Sequence, residues 1–328
     1  MSLSKPIRRI AVIGTGITGS SWAALYLARG LDVIAMDPAP NAESNLRRYV
    51  DTAWEVLARL GLSPKASPQH LDFSPDLARA VYDADFIQES GPEREEFKVR
   101  LFADMDAAAP PDSIIASSSS GLTMSVIQSA CKHPDRCVIG HPLHLPHLIP
   151  LVEVVGGVNT SPDAIRRAVS FYDSINRKPI QLRREIAGHA ANRLQAALYR
   201  EMAFLIEQDV LSVSDADTAV SWGPGLHWGA MGPNLLFHIA GGQGGIRLFM
   251  EQVAGLIDSW WNELGNAKLT PQPQQTIVQG VLQEIGHRSV EQLARGRDEM
   301  LLGLLRLRTN AAKASGSSRK TARNSKKR

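Results

Sequence analysis

A doubly wound α/β domain followed by an all-helical domain is the architecture this sequence predicts, on three observations. Short apolar runs alternate with helix-patterned segments over residues 1–185 of 328, the signature of a mostly parallel sheet covered on both faces. The first strand–helix junction carries three glycines. From Ala187 onward no convincing strand remains, only apolar residues at helical spacing.

The first unit is Ile10–Asp37, IAVIGTGITGSSWAALYLARGLDVIAMD. An apolar run ends in Gly14-Thr15-Gly16-Ile17-Thr18-Gly19, a helix-like segment follows, and a second apolar run stops at an acid. Gly14 permits the tight turn, Gly16 lets the backbone approach a pyrophosphate, and Gly19 lets the helix pack closely on the sheet. The free N–H groups of that helix then face the phosphates. Asp37, 23 positions after Gly14, suits a carboxylate that accepts hydrogen bonds from an adenosine ribose. A carboxylate there repels a 2′-phosphate, and no Arg follows before Arg47, so the expected cofactor is NAD, not NADP. Together these features predict a Rossmann-type domain.

Ala42–Leu60 reads as a helix, with Leu46, Val50, Trp54 and Leu57 on one face. Asp76–Tyr82 reads as a short helix before a strand at Asp85–Glu89. Further strands are expected at Ser113–Ala116, Val138–Gly140, Leu151–Val155 and Pro179–Leu182, with a helix at Pro162–Ile175. Composition changes near Glu185, which places the cofactor domain at 1–185 and a helical domain at 186–308. The helical segments expected there are Ala190–Gln208, Ser214–Ser221, Pro233–Ile239, Gly245–Trp261 and Thr276–Leu307. Residues 309–328 lack apolar anchors and are expected to form a disordered basic tail.

Composition bounds the function classes. Hydrophobic content of 44% with 21% charged residues describes a globular chain. The net charge of +3 reflects the tail, whose twenty residues hold seven Lys or Arg and no acid. Residues 1–308 alone carry −4, which gives no reason to expect a nucleic-acid surface on the folded body. Cys131 and Cys137 form no disulfide framework and no paired metal motif, so a reducing, cytoplasmic compartment is expected. Lys5, Arg8 and Arg9 before an apolar stretch imitate a secretion signal, but the glycine turn and the continuation into Asp32–Asp37 argue against one. No run is long and apolar enough to span a bilayer.

The chemistry-bearing segment is Cys137–Gly157, with His141 just after a strand and Glu153 inside the next apolar run. Ligands of open α/β sheets sit outside the carboxyl ends of strands, where His141 falls. Oxidising a hydroxyl with NAD requires a group that takes its proton as hydride leaves, and a neutral imidazole suits this. A carboxylate on the other ring nitrogen would fix the tautomer and stabilise the imidazolium. A buried acid must find a partner, which makes Glu153 the more telling of the two. His141, His144 and His147 could suggest a metal, but Pro142, Pro146 and Pro150 prevent a helix from aligning them, so none is expected.

These motifs give the chain a resemblance to the 3-hydroxyacyl-CoA dehydrogenase superfamily over about residues 7–305, nearest its carnitine dehydrogenase and gulonate dehydrogenase (lambda-crystallin) branch. The residues that carry it are Ile13–Gly19, Asp83–Arg94, Ala116–Leu122, Gly140–Gly157, Gly223–Pro233 and His238–Gln252. The resemblance implies that His141 is the catalytic base and Glu153 its orienting partner. It further implies that Ser120 lies near nicotinamide and substrate hydroxyl, that Asn192 is supplied to the site, and that Glu93 and Lys98 contact the cofactor. His144 stands where relatives carry an Asn beside the nicotinamide, and His227-Trp228 where small-hydroxy-acid relatives often carry Arg-aromatic. Both departures bear on the substrate.

Relatives that act on acyl-CoA carry a long Lys-rich helical insertion after the second strand, whereas the corresponding region here, about Asn41–Leu71, is short. The expected activity is therefore NAD-dependent oxidation of the secondary hydroxyl of a small 3-hydroxy acid, carnitine foremost. Trp228 is the candidate for cation–π contact with a quaternary ammonium. The rival readings are a short-chain 3-hydroxyacyl-CoA dehydrogenase and a non-catalytic NAD-binding, crystallin-like protein. A homodimer through the helical domain is implied by the resemblance.

Overall fold

The computed structural model describes residues 6–325, with side chains described through residue 311. Its first half alternates strand and helix: β1 (Arg9–Ile13), α1 (Ile17–Ala28), β2 (Asp32–Met36), α2 (Ala42–Leu60), β3 (Leu71–Ser74), α3 (Leu77–Val81) and β4 (Phe86–Glu89). Then come α4 (Glu95–Ala108), β5 (Ile114–Ser117), α5 (Met124–Ile127), β6 (Cys137–Pro142), β7 (Leu151–Gly156), α6 (Pro162–Ser174) and β8 (Lys178–Gln181). The eight strands form one sheet in the order β3-β2-β1-β4-β5-β6-β7-β8. All neighbours run parallel except β6 and β7, which are antiparallel. Strand order reverses between β1 and β4, so the carboxyl ends of these two strands flank the crevice where such sheets bind ligands.

Each sheet face buries its own core. Trp22, Leu25, Leu46, Leu57, Phe171 and Tyr172 pack on one side, and Phe102, Met105, Met124 and Ile127 on the other. Helix α1 is buried from Gly19 through Ala28, which explains why its sequence shows no polar face. Buried polar side chains of the sheet are drawn into hydrogen bonds with one another. The Tyr26 and Tyr172 hydroxyls both donate to Gln88 Oε1, at 3.1 and 2.7 Å. Strand β3 was not expected, because LDFS is only four residues long and buries only its two ends.

The chain divides into two compact units between Arg193 and Leu194. The division thus falls later than the 185/186 boundary expected from composition. Residues 189–191 are held in the first unit by hydrogen bonds to Ser119 and Glu153.

The remaining elements are all helices: α7 (Ala191–Glu207), α8 (Val213–Trp222), α9 (Pro224–Ala230), α10 (Pro233–Ala240), α11 (Gly245–Glu263), α12 (Pro271–Ile285) and α13 (Val290–Ser325). The single helix expected over 276–307 is in fact two, broken at Gly286, whose φ of 58° leaves the helical region. A second difference concerns the tail. Helix α13 continues to Ser325 through residues expected to lack structure, while residues 326–328 of that expectation lie outside the described residues. The extension opens with Ala311, Ala312, Lys313 and Ala314 soon after Thr309, and the helix propensity of these residues favours continuation. Among the described residues no helix is long and apolar enough to cross a membrane.

Candidate active site

The glycine turn follows β1 as its residue types require. Gly14 has φ of 88°, and a Cβ there would lie 2.8 Å from the Ser90 carbonyl carbon. A Cβ on Gly19 would fall 1.8 Å from the Gly14 carbonyl oxygen, so close helix–turn packing excludes any side chain. Gly16 differs: nothing lies within 4 Å of a Cβ built there. Its glycine answers to open space, not to protein packing. As the N-cap of α1 it supplies no side-chain cap, leaving the first-turn N–H groups, including those of Ile17 and Thr18, available to an anion. These features fit a dinucleotide pyrophosphate.

Asp37, just past β2, binds back to this turn. Its Oδ2 accepts the Thr15 N–H at 2.8 Å and the Thr15 hydroxyl at 3.1 Å, and its Oδ1 accepts the Ala39 N–H at 2.9 Å. A carboxylate has about four acceptor positions, so capacity remains for a ribose hydroxyl. Its charge still opposes a 2′-phosphate.

Glu93 lies across from the loop after β5. Its Oε1 accepts the Ser119 hydroxyl at 2.5 Å and the N–H groups of Ser120, Gly121 and Leu122 at 3.1, 2.8 and 3.3 Å. Burial alone would raise its carboxyl, but these bonds and nearby Lys98 hold it below the usual carboxylate range. Lys98, also expected against the cofactor, is held by protein groups. It is 1% exposed, and its ammonium donates to both Glu89 oxygens at 2.7 and 2.9 Å and to the Gly91 carbonyl at 3.2 Å. Glu93 Oε2 is more distant at 3.6 Å. Glu89 is fully buried at the end of β4, and a buried acid needs a cation.

His141 and Glu153 face each other in the β6–β7 register, and His141 Nδ1 lies 2.9 Å from Glu153 Oε2. Both are buried. The other oxygen, Oε1, accepts the N–H groups of Ala190 and Ala191 at 2.8 and 3.0 Å, so the carboxylate also sits at the amino end of α7. Burial would push Glu153 up, yet the bonds from His141, Ala191 and Ala190 outweigh it and hold the carboxyl low. An ionised acceptor forces the hydrogen onto His141 Nδ1 and leaves Nε2 as the basic nitrogen. This pair can therefore receive a proton at Nε2 and stabilise the resulting imidazolium.

Ser120 is half-buried beside this region, with its N–H fixed by Glu93. Asn192, second residue of α7, is half-buried. His144 is exposed in the turn between β6 and β7. The third histidine is held by Ser21: His147 Nδ1 lies 2.7 Å from the Ser21 hydroxyl oxygen, which accepts the His147 N–H at 3.0 Å. Among the described residues no group of three His, Cys, Asp or Glu could hold a metal. His227 and Trp228 belong to the second unit, on α9, and are exposed there.

One residue escaped the sequence reading. His189 is 2% exposed, its ring lies 4.8 Å from that of His141, and its Nε2 lies 3.0 Å from the Ser119 carbonyl oxygen. Burial, first of all, lowers its basicity. Its position after Gly188 was the only available signal.

Comparison with known proteins matches the chain in two successive parts. The family description "3-hydroxyacyl-CoA dehydrogenase, NAD binding domain" matches residues 9–186, and "3-hydroxyacyl-CoA dehydrogenase, C-terminal domain" matches 188–274. An L-carnitine dehydrogenase of a Pseudomonas species is 44% identical over 299 residues, covering 91% of this chain and 93% of its own. The L-carnitine dehydrogenase of Bacillus cereus is 42% identical over 301 residues, covering 92% of each. A solved structure of 5-formyl-3-hydroxy-2-methylpyridine 4-carboxylic acid 5-dehydrogenase, described as an NAD+-dependent dismutase, superposes with a TM-score of 0.76 at 30% identity, covering 92% of this chain and 98% of its own.

Proposed function

The chain belongs to the 3-hydroxyacyl-CoA dehydrogenase family, and from that premise we propose that it oxidises the secondary hydroxyl of L-carnitine with NAD. Near full-length similarity to L-carnitine dehydrogenases, at 42–44% identity, is the observation that carries the substrate. A small substrate also agrees with the β2–β3 connection, which holds one α-helix, α2, and a single 3-10 turn.

His141 Nε2 takes the hydroxyl proton of the substrate, and Glu153 holds the ring in the required tautomer and balances the charge it gains. Ser120 and Asn192 orient the hydroxyl. Bound NAD would accept the hydride that leaves the carbinol carbon as the carbonyl forms. The turn Gly14–Gly19 holds the pyrophosphate, Asp37 the adenosine ribose, and Glu93, through Oε2, the cofactor at the Ser119–Gly121 loop. His144 takes the place usually held by Asn beside the nicotinamide. In the helical unit Trp228 offers its face to the trimethylammonium group and His227 a donor to the carboxylate.

The helical unit pairs two copies of the chain. It exposes Trp222, Leu235, Ile239, Trp260 and Trp261, all at 54% or more, an apolar surface that a monomer rarely leaves open. Cys131 and Cys137 are free thiols, in keeping with a cytoplasmic setting.

The test is a substrate panel followed by NADH absorbance: L-carnitine, 3-hydroxybutyrate and gulonate with NAD or NADP, and acetoacetyl-CoA with NADH. Preference for L-carnitine with NAD is the expected result. Preference for acetoacetyl-CoA, or no turnover of any hydroxy acid, would contradict the reading.

A further inference from the structure

We propose that His189 is a positioning residue for the reaction: it ties the Ser119–Ser120 loop to the His141–Glu153 pair through a single hydrogen-bonded segment. The inference rests on the reading that His141 is the base. A carbonyl oxygen only accepts, so the 3.0 Å contact between His189 Nε2 and Ser119 places the hydrogen on Nε2. Nδ1 is then an acceptor, and it is buried with no hydrogen-bond partner. The residue also has φ of 49°, a left-handed conformation that few side chains adopt. A residue needed only to fill space would be apolar and would bury no unpaired nitrogen. Such local penalties persist where the surrounding structure has a use for them.

The surrounding contacts supply that use. Glu93 grips the Ser119–Leu122 loop by its N–H groups and the Ser119 hydroxyl. It leaves the Ser119 carbonyl for His189. The two residues after His189 donate their N–H groups to Glu153, whose other oxygen holds His141. Three consecutive residues thus grip both the loop that bears Ser120 and the carboxylate that aims the base. His189 further packs its ring against that of His141, 4.8 Å away and tilted by 41°. Proton transfer is sensitive to displacement of about 1 Å, so loosening this joint lowers turnover more than binding.

The experiment compares His189→Gln, which keeps an N–H donor within reach of Ser119, with His189→Phe, which keeps a ring and loses the donor. The hydrogen-bond tether predicts that Gln stays within about threefold of the parent kcat and Phe falls by about 10–100-fold, with KM and NADH affinity little changed in both. Phe equalling or exceeding Gln would overturn the proposal, because packing alone would then suffice. A long-range proton–nitrogen NMR spectrum of the unsubstituted chain, assigned by the signals lost in His189→Gln, supplies a readout independent of folding and of activity. A single neutral Nε2–H tautomer supports the tether, and a mixture of tautomers overturns it. Failure of the unsubstituted chain to oxidise L-carnitine removes the substrate reading and leaves this NMR outcome to decide the tether.

Discussion

His141 and Glu153 stand opposite each other across the antiparallel β6–β7 pair, with Nδ1 and Oε2 2.9 Å apart. Antiparallel pairing brings directly opposed side chains close on one face, so a twelve-residue separation in sequence becomes a hydrogen bond. The strand reversal at β7 is thus part of the chemistry.

Glu153→Gln should lower kcat by about 10²–10⁴-fold while NADH affinity stays near the parent value. The amide keeps the shape but cannot stabilise the imidazolium. Steady-state kinetics with fluorescence titration of NADH checks both; a loss below tenfold would remove Glu153 from the mechanism.

The glycines separate packing from ligand approach. Gly19→Ala drives a methyl into the Gly14 carbonyl and should cost about 3 kcal/mol or more of stability. Gly16→Ala meets nothing within 4 Å, so its melting temperature should barely move while NAD affinity falls by about tenfold or more. Equal stability loss in the two variants would contradict this division.

Lys98→Met leaves Glu89 buried without its cation. The expected cost is about 3–5 kcal/mol, seen as a lowered denaturant midpoint. A variant of parent stability that only binds NAD weakly would instead make Lys98 a cofactor contact alone.

Acid should destabilise the first unit. Glu93, Asp106 and Glu153 are each pushed up by burial, and each is held below the usual carboxylate range by hydrogen bonds that outweigh it. A carboxyl depressed on folding contributes stability that is fully present above its unfolded value, about 4, and is lost as pH falls through its folded value. Calorimetry should show a nearly constant melting temperature from pH 7 to about 5 and a decline below about 4. Asp106→Asn, which disrupts the buried pair with Arg136, should make that decline shallower. A melting temperature unchanged at pH 3 would contradict the linkage.

Local patterns were legible in the sequence, and long-range partners were not. The glycine turn, the range of α2 and the His141–Glu153 pair follow from short spacings that one segment displays. The pairing of Lys98 with Glu89 was not legible, because Glu89 looks like the last residue of an ordinary strand until β4 is known to be buried on both faces. His189 was missed because Ser119, seventy residues away, gives its imidazole a purpose. The break at Gly286 was passed over because apolar spacing continues on both sides of it. Only the backbone angle marks the end of α12.

The most direct test of the account is the turnover of His141→Ala with L-carnitine and NAD, measured beside its NADH dissociation constant. A fall in kcat of at least about 10²-fold with NADH binding within about threefold of the parent is the predicted result. Near-parental turnover in that variant would contradict the assignment of His141 as the base.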